Sequence, residues 1–158
     1  MAVPLFRIEP ATTPDDMVAI AALIREYGES LGIDLSFQHF AEELASLPGD
    51  YSEPQGTLLL ARVGDSSAGC VGLRPLENDA CEMKRLYVRP QHRGLKIGDA
   101  LVHAVIDAAR ARGYARIKLD TLPSMSRARA LYQQLGFRET TAYRFNPVEG
   151  TSYLELAL

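Results

Sequence analysis

The sequence has no tryptophan and only two cysteines, Cys70 and Cys81, in 158 residues. Two thiols cannot build the disulfide framework of a small secreted scaffold. If the runs on either side of Glu77-Asn78-Asp79-Ala80 form a hairpin, Cys70 faces Tyr87 and Cys81 faces Leu76. The two are then not partners, and both read as buried thiols of a reducing cytoplasm. No stretch approaches the ~20 apolar residues that a membrane span needs. Met1 to Pro10 has no cationic segment followed by an apolar run, so the expected location is cytoplasmic. An excess of basic charge is also missing: 17 Lys and Arg stand against 20 Asp and Glu, a net charge of −3. That argues against charge-driven nucleic-acid binding and suits a cationic substrate slightly better than an anionic one. No His, Cys, Asp or Glu cluster has metal-ligand spacing, so no metal is expected. No Gly-x-Ser-x-Gly elbow supports a serine nucleophile.

What is present is ordinary for a globular domain: 47% hydrophobic and 23% charged residues, with a length that fits one domain over 1–158. Phe6 to Glu9 reads as a first strand. Thr13-Pro14-Asp15-Asp16 offers an N-cap, a proline at the first helical position and acids in the first turn. Met17, Ile20, Ile24, Tyr27 and Leu31 then recur at helical spacing until Gly32. A second helix is predicted over Phe37 to Leu47, capped by Ser36. Thr57 to Val63, Ala68 to Leu73 and Glu82 to Val88 read as three strands of a meander joined by short turns. A helix from about Gly94 to Arg112 and a strand over Ala115 to Leu122 follow, which implies a crossover and a parallel pair. Pro123 to Ser126 opens a helix to about Leu135, and Phe137 to Phe145 and Thr151 to Leu156 read as the last strands.

The chain is organised around Val88-Arg89-Pro90-Gln91-His92-Arg93-Gly94-Leu95-Lys96-Ile97-Gly98-Asp99. Pro90 ends the strand, and the glycines allow a sharp turn and a close approach to the backbone. Beyond it Ile97, Leu101, Ala104, Val105, Ala108 and Ala109 share one helix face. A helix beginning here leaves its first N–H groups without partners, and Arg93, Lys96 and His92 lie near the same point, so a phosphate is a natural guest. On the loop alone, an ordinary strand-to-helix turn with solvated basic residues reads equally well. A P-loop is excluded because Asp99-Ala100 follow Gly98. A dinucleotide fingerprint is excluded by the glycine spacing.

Pro-x-x-Arg-Gly-x-x-Ile-Gly-x-x-Leu after a strand, followed by Ala-Leu-Tyr-Gln-Gln-Leu-Gly-Phe, resembles the acetyl-CoA-binding core of the GCN5-related N-acetyltransferases (GNAT). The resemblance covers roughly Glu82 to Phe137. It implies an α/β (α+β) fold with a mixed, mainly antiparallel sheet of about six to seven strands flanked by about four helices. It further implies that Leu86, Tyr87 and Val88 line the pantetheine arm of acetyl-CoA. Arg93, Gly94, Leu95, Lys96, Ile97, Gly98 and Asp99 then hold its pyrophosphate. The strands on either side of the crossover are expected to splay apart around the cofactor. Lys96 stands where the family's first glycine is usual, which is tolerable if its φ is helical. Met125 stands where an asparagine is common, and Ser124 or Ser126 is the expected substitute.

The chemistry implied is acyl transfer from acetyl-CoA to a primary amine, directly and in a ternary complex. An amine of pKa ~10 must lose a proton to attack, the oxyanion needs an N–H donor, and the leaving thiolate benefits from an acid. By resemblance Tyr132 is that acid. Glu82 is the first candidate base and Asp120 the second. Glu26, Tyr27, Glu29, Asp34, Phe37, Gln38 and Glu42 offer acids and aromatics for recognising an amine, or else merely solvated helix faces. The rival reading is a non-catalytic acyl-CoA-binding or sensory module. Family members are often dimers, which leaves a homodimer open.

Overall fold

The computed structural model describes residues 5–32, 34 and 39–158. Seven strands form one sheet: β1 (Arg7–Pro10), β2 (Thr57–Val63), β3 (Ser66–Pro75), β4 (Ala80–Val88), β5 (Arg116–Thr121), β6 (Arg138–Glu139) and β7 (Ser152–Ala157). Their order is β1-β2-β3-β4-β5-β7-β6. β4 and β5 are parallel and every other neighbouring pair is antiparallel. The helices are α1 (Pro14–Leu31), α2 (Phe40–Ser46), α3 (Ile97–Ala111) and α4 (Ser126–Gln134). This is the expected mixed, mainly antiparallel sheet with flanking helices.

The run Leu58-Leu59-Leu60-Ala61 explains why the sheet is covered on both faces. Alternate residues of a strand point to opposite sides. Leu58 and Leu60 join one core with Ile20, Leu23, Ile24, Tyr51 and Cys70. Leu59 and Ala61 join the other with Met83, Ile97, Leu101, Val105, Ile117 and Tyr132. α1 and α2 therefore cover one face, and α3 and α4 the other.

Local signals set several boundaries as expected. Thr13 Oγ1 accepts from the Asp16 N–H at 3.0 Å while Asp16 accepts from the Thr13 N–H at 3.1 Å, a reciprocal cap that starts α1 at Pro14. Gly32, at φ 65°, ends it. Cys70 pairs with Tyr87 as predicted, and Cys81 pairs with Pro75, one position from the predicted Leu76. Among the described residues no helix is long and apolar enough to cross a membrane.

Three elements differ from expectation. α3 begins at Ile97 rather than near Gly94, because Gly94 at φ 90° and Lys96 at φ 64° are both left-handed. α2 is shorter than predicted, starting at Phe40 after a left-handed His39; Ser36 and Phe37 lie outside the described residues. The strand predicted over Phe137 to Phe145 reduces to Arg138–Glu139, since the chain beyond leaves the sheet edge and turns Tyr143 and Arg144 toward Glu82.

Candidate active site

β4 and β5 pair over only three positions, Ala80 with Arg116, Cys81 with Ile117 and Glu82 with Lys118. β4 continues to Val88 and β5 to Thr121. Beyond Glu82 the two strands separate, as expected, and among the described residues no strand pairs with the edge of β4 that faces β5. A cleft of about 900 Å³ opens there, lined by Met83 to Val88, the loop from His92 to Asp99, Leu119 and Asp120, α1 residues Tyr27 and Ser30, and α4.

A bulge shapes the β4 wall. Cys70 pairs with Tyr87 and Gly72 with Lys84, so Arg85 and Leu86 stand opposite Val71 alone, and Arg85 is left-handed at φ 60°. The Arg85 side chain is buried on the α2 side, where it donates to Glu43 through Nε at 2.8 Å and Nη2 at 3.1 Å. It also lies over the rings of Phe40 at 5.0 Å and Tyr27 at 6.0 Å.

At one end of the cleft the chain makes a 3-10 turn over Pro90–His92 and then enters α3. Lys96 is the N-cap and its side chain makes no capping bond; the first helical bond runs from the Ala100 N–H to the Lys96 carbonyl. The N–H groups of Ile97, Gly98 and Asp99 therefore lack intrahelical acceptors and carry the positive end of the helix dipole. Lys96 was tolerable on the expectation of a helical φ; its left-handed backbone corrects that reading, and the position takes the conformation for which glycine is suited. Arg93 Nε donates back to the Val88 carbonyl at 3.1 Å.

Tyr132 lies on the α4 wall, 4% exposed, with its ring 5.5 Å from that of Phe137. Burial pushes its phenol well above the ordinary value, with the nearby Tyr27 and Asp120 adding to the shift, so it stays protonated and can act as a donor. Asp120 lines the cleft from β5 and accepts from the Asn146 side-chain amide at 3.2 Å. Lys84 lines the cleft from β4, near enough to Asp120 to feel its charge.

Glu82 is placed differently from the base expected of it. It is fully buried and does not line the cleft. Arg74 Nε at 2.9 Å and Arg144 Nη2 donate to Oε1, and the Tyr143 hydroxyl donates to Oε2 at 2.7 Å. Both oxygens are thus engaged in holding the segment between β6 and β7 against the sheet.

Of the expected CoA residues, Leu86, Tyr87, Val88, Arg93, Gly94, Lys96, Ile97, Gly98 and Asp99 all line the cleft. Leu95 instead packs against the core, and Ser126 is exposed at the start of α4 while Ser124 and Met125 face the cleft. Among the residues considered for amine recognition, Tyr27 lines the cleft. Glu26 is bound to Arg89, Nη2 to Oε2 at 2.6 Å, and Glu29, Asp34 and Glu42 are exposed. Phe37 and Gln38 lie outside the described residues. Sequence reasoning missed Lys84, Arg85 and Glu43. The one available signal was a pair of adjacent cations in the middle of an apolar strand.

A family model described as the acetyltransferase (GNAT) family matches residues 19–137. An uncharacterized N-acetyltransferase of Schizosaccharomyces pombe is 39% identical over 153 residues, 96% of this chain and 94% of that protein. An acetyltransferase structure from Streptococcus agalactiae superposes with a TM-score of 0.80 at 20% identity, covering 99% of this chain and 100% of that one. The PaiA N-acetyltransferase of Thermoplasma acidophilum, solved in complex with coenzyme A, superposes with a TM-score of 0.73 at 16% identity, covering 97% and 99%. The splayed strands, the loop feeding α3 and the tyrosine on α4 thus sit in a chain that belongs to the GNAT acetyltransferase family.

Proposed function

We propose that the chain transfers an acetyl group from acetyl-CoA to a primary amine by direct attack in a ternary complex. The observation that carries this reading is the gap between β4 and β5, which has a helix N-terminus at one end and Tyr132 on its wall. The Thermoplasma neighbour bound to coenzyme A supports the same ligand here. The N–H groups opening α3 suit the pyrophosphate. The unpaired edge of β4 suits an extended pantetheine arm, which adds to a sheet edge as a strand does.

In this reading the amine nitrogen attacks the thioester carbon and the C–N bond forms. The oxyanion takes a hydrogen bond from the β4 edge, and collapse breaks the C–S bond. Tyr132 gives its proton to the departing sulfur. The surplus proton on nitrogen passes to Asp120, which lines the cleft where Glu82 does not. Once nitrogen has bonded to the carbonyl carbon its N–H is far more acidic, so a carboxylate suffices. Neither cysteine suits an acyl-enzyme route: burial pushes both Cys70 and Cys81 up to about 12, so they remain thiols at neutral pH.

The test is calorimetric titration with acetyl-CoA, followed by initial-velocity patterns with an active amine. Saturable binding and intersecting lines are expected. Parallel lines would indicate an acyl-enzyme and overturn direct transfer. Binding with no thiol release from any amine would leave an acyl-CoA-binding module.

A further inference from the structure

The segment between β6 and β7 reaches Asp120 on the cleft wall from outside the sheet. Its start is held by Glu82, which accepts from the Tyr143 hydroxyl at 2.7 Å and from Arg144 Nη2. The Tyr153 hydroxyl donates to the Arg144 carbonyl at 2.9 Å, and at the far end Arg129 Nη2, from α4, donates to the Gly150 carbonyl at 2.8 Å. Between these anchors Asn146 is half-buried and does not itself line the cleft. Its Nδ2 donates to Asp120 Oδ2 at 3.2 Å, and its Oδ1 accepts from the Val148 N–H at 3.0 Å.

The bond to Val148 settles which way the amide points. A backbone N–H only donates, so the oxygen of Asn146 must face Val148 and its NH2 must face Asp120. An ionised carboxylate only accepts, so the pair matches. Among the described residues this is the one hydrogen bond to the Asp120 side chain, and it engages Oδ2 while leaving Oδ1. The last torsion of an aspartate side chain is soft, so an external donor sets the plane of its carboxylate. Glu82 provides the contrast: two guanidiniums and a phenol occupy its oxygens, whereas a neutral amide orients Asp120 without placing a countercharge on it.

We propose that Asn146 is a positioning residue for acetyl transfer: by fixing Oδ2 it holds Asp120 with Oδ1 available to the acceptor nitrogen. This rests on the acetyltransferase reading above and on Asp120 as its base. In the step concerned the proton leaves the nitrogen that has bonded to the carbonyl carbon. The N–H bond breaks, its electron pair stays on nitrogen, an O–H bond forms at Oδ1, and water takes the proton after the product departs. Asn146 stays bonded to Oδ2 throughout. A general base must sit within hydrogen-bond reach of the proton it takes, and a displacement of about 1 Å can cost 100-fold in rate. A residue outside the cleft thereby governs turnover.

The experiment measures kcat and KM by thiol release with an active amine, and acetyl-CoA affinity by calorimetry, for the native chain, Asn146→Ser, Asp120→Asn and the double variant. Serine still offers the Val148 N–H an oxygen but is too short to reach Asp120. Asn146→Ser should lower kcat by about 10- to 100-fold, while KM for the amine and acetyl-CoA affinity hold. In the Asp120→Asn background the same change should do almost nothing, because its target is gone. Asn146→Asp, which also keeps an acceptor for Val148 and removes the donor, should match the serine variant, so a folding fault in one does not decide the result. An unchanged kcat in Asn146→Ser, or a fall of the same size in both backgrounds, would overturn the positioning role and leave acetyl transfer standing. Undiminished turnover in Asp120→Asn would overturn it together with Asp120 as the base. Absence of thiol release from the native chain with every amine tried would overturn the acetyltransferase reading and this role with it.

Discussion

Arg85 and Glu43 form a two-pronged ion pair, at 2.8 and 3.1 Å, that ties the bulge of β4 to α2 although the two residues are 42 positions apart in sequence. The side chains are 2% and 10% exposed, so neither charge has water to fall back on. Removing Glu43 takes from the buried guanidinium the carboxylate that accepts both of these hydrogen bonds. Glu43→Ala is therefore expected to destabilise the fold by about 3–5 kcal/mol, read by chemical denaturation. A change below about 1 kcal/mol would mean that the pair behaves as a surface contact.

Lys96 holds a left-handed backbone at φ 64°. That conformation costs a side-chain-bearing residue about 1–2 kcal/mol, and glycine offsets part of the gain through its freer unfolded chain. Lys96→Gly should raise stability by up to about 1 kcal/mol, and acetyl-CoA binding should survive because the backbone geometry is retained. Loss of binding in this variant would shift the phosphate contact from the loop's N–H groups to the lysine ammonium.

Tyr132→Phe keeps the ring that packs on Phe137 and removes only the hydroxyl. Turnover should fall by about 100-fold or more with acetyl-CoA affinity unchanged, as measured by thiol release and calorimetry. Full activity near neutral pH would remove Tyr132 from the mechanism.

The Asp16 carboxyl is held below its ordinary 3.8 by the backbone N–H groups of Thr12 and Thr13, with Arg62 also contributing. A carboxyl lowered in the folded state stabilises above its unfolded pKa, and that stabilisation is lost as pH falls through the folded value. Acid unfolding should therefore show a component below pH 3.8 that Asp16→Asn removes. The same variant keeps an amide oxygen to accept from Thr12 and Thr13 but loses the charge at the helix N-terminus and the ion pair to Arg62, and should cost about 0.3–1 kcal/mol at neutral pH. An acid limb unchanged in Asp16→Asn would assign that titration to other carboxyls.

Signals that act within a few residues were legible in the chain. Thr13, Pro14, Asp16 and Gly32 set the ends of α1, the apolar run Thr57 to Val63 marked a strand, and the strand-loop-helix motif, through its resemblance, pointed to the gap beside β4. Each depends on neighbours in sequence, through capping, periodicity or turn chemistry. What only the tertiary structure decided concerns partners far apart along the chain. Arg85 became a bulge residue because Glu43 and two aromatic rings received its guanidinium. Tyr143 and Arg144 left a β-like stretch because the buried Glu82 needed donors, and that contact removed Glu82 from the cleft and left Asp120 facing it. Lys84 gained its place on the cleft wall from the same separation of β4 and β5. Local sequence carries no record of which distant charge will meet which, and burial turns those meetings into the strongest constraints on the site.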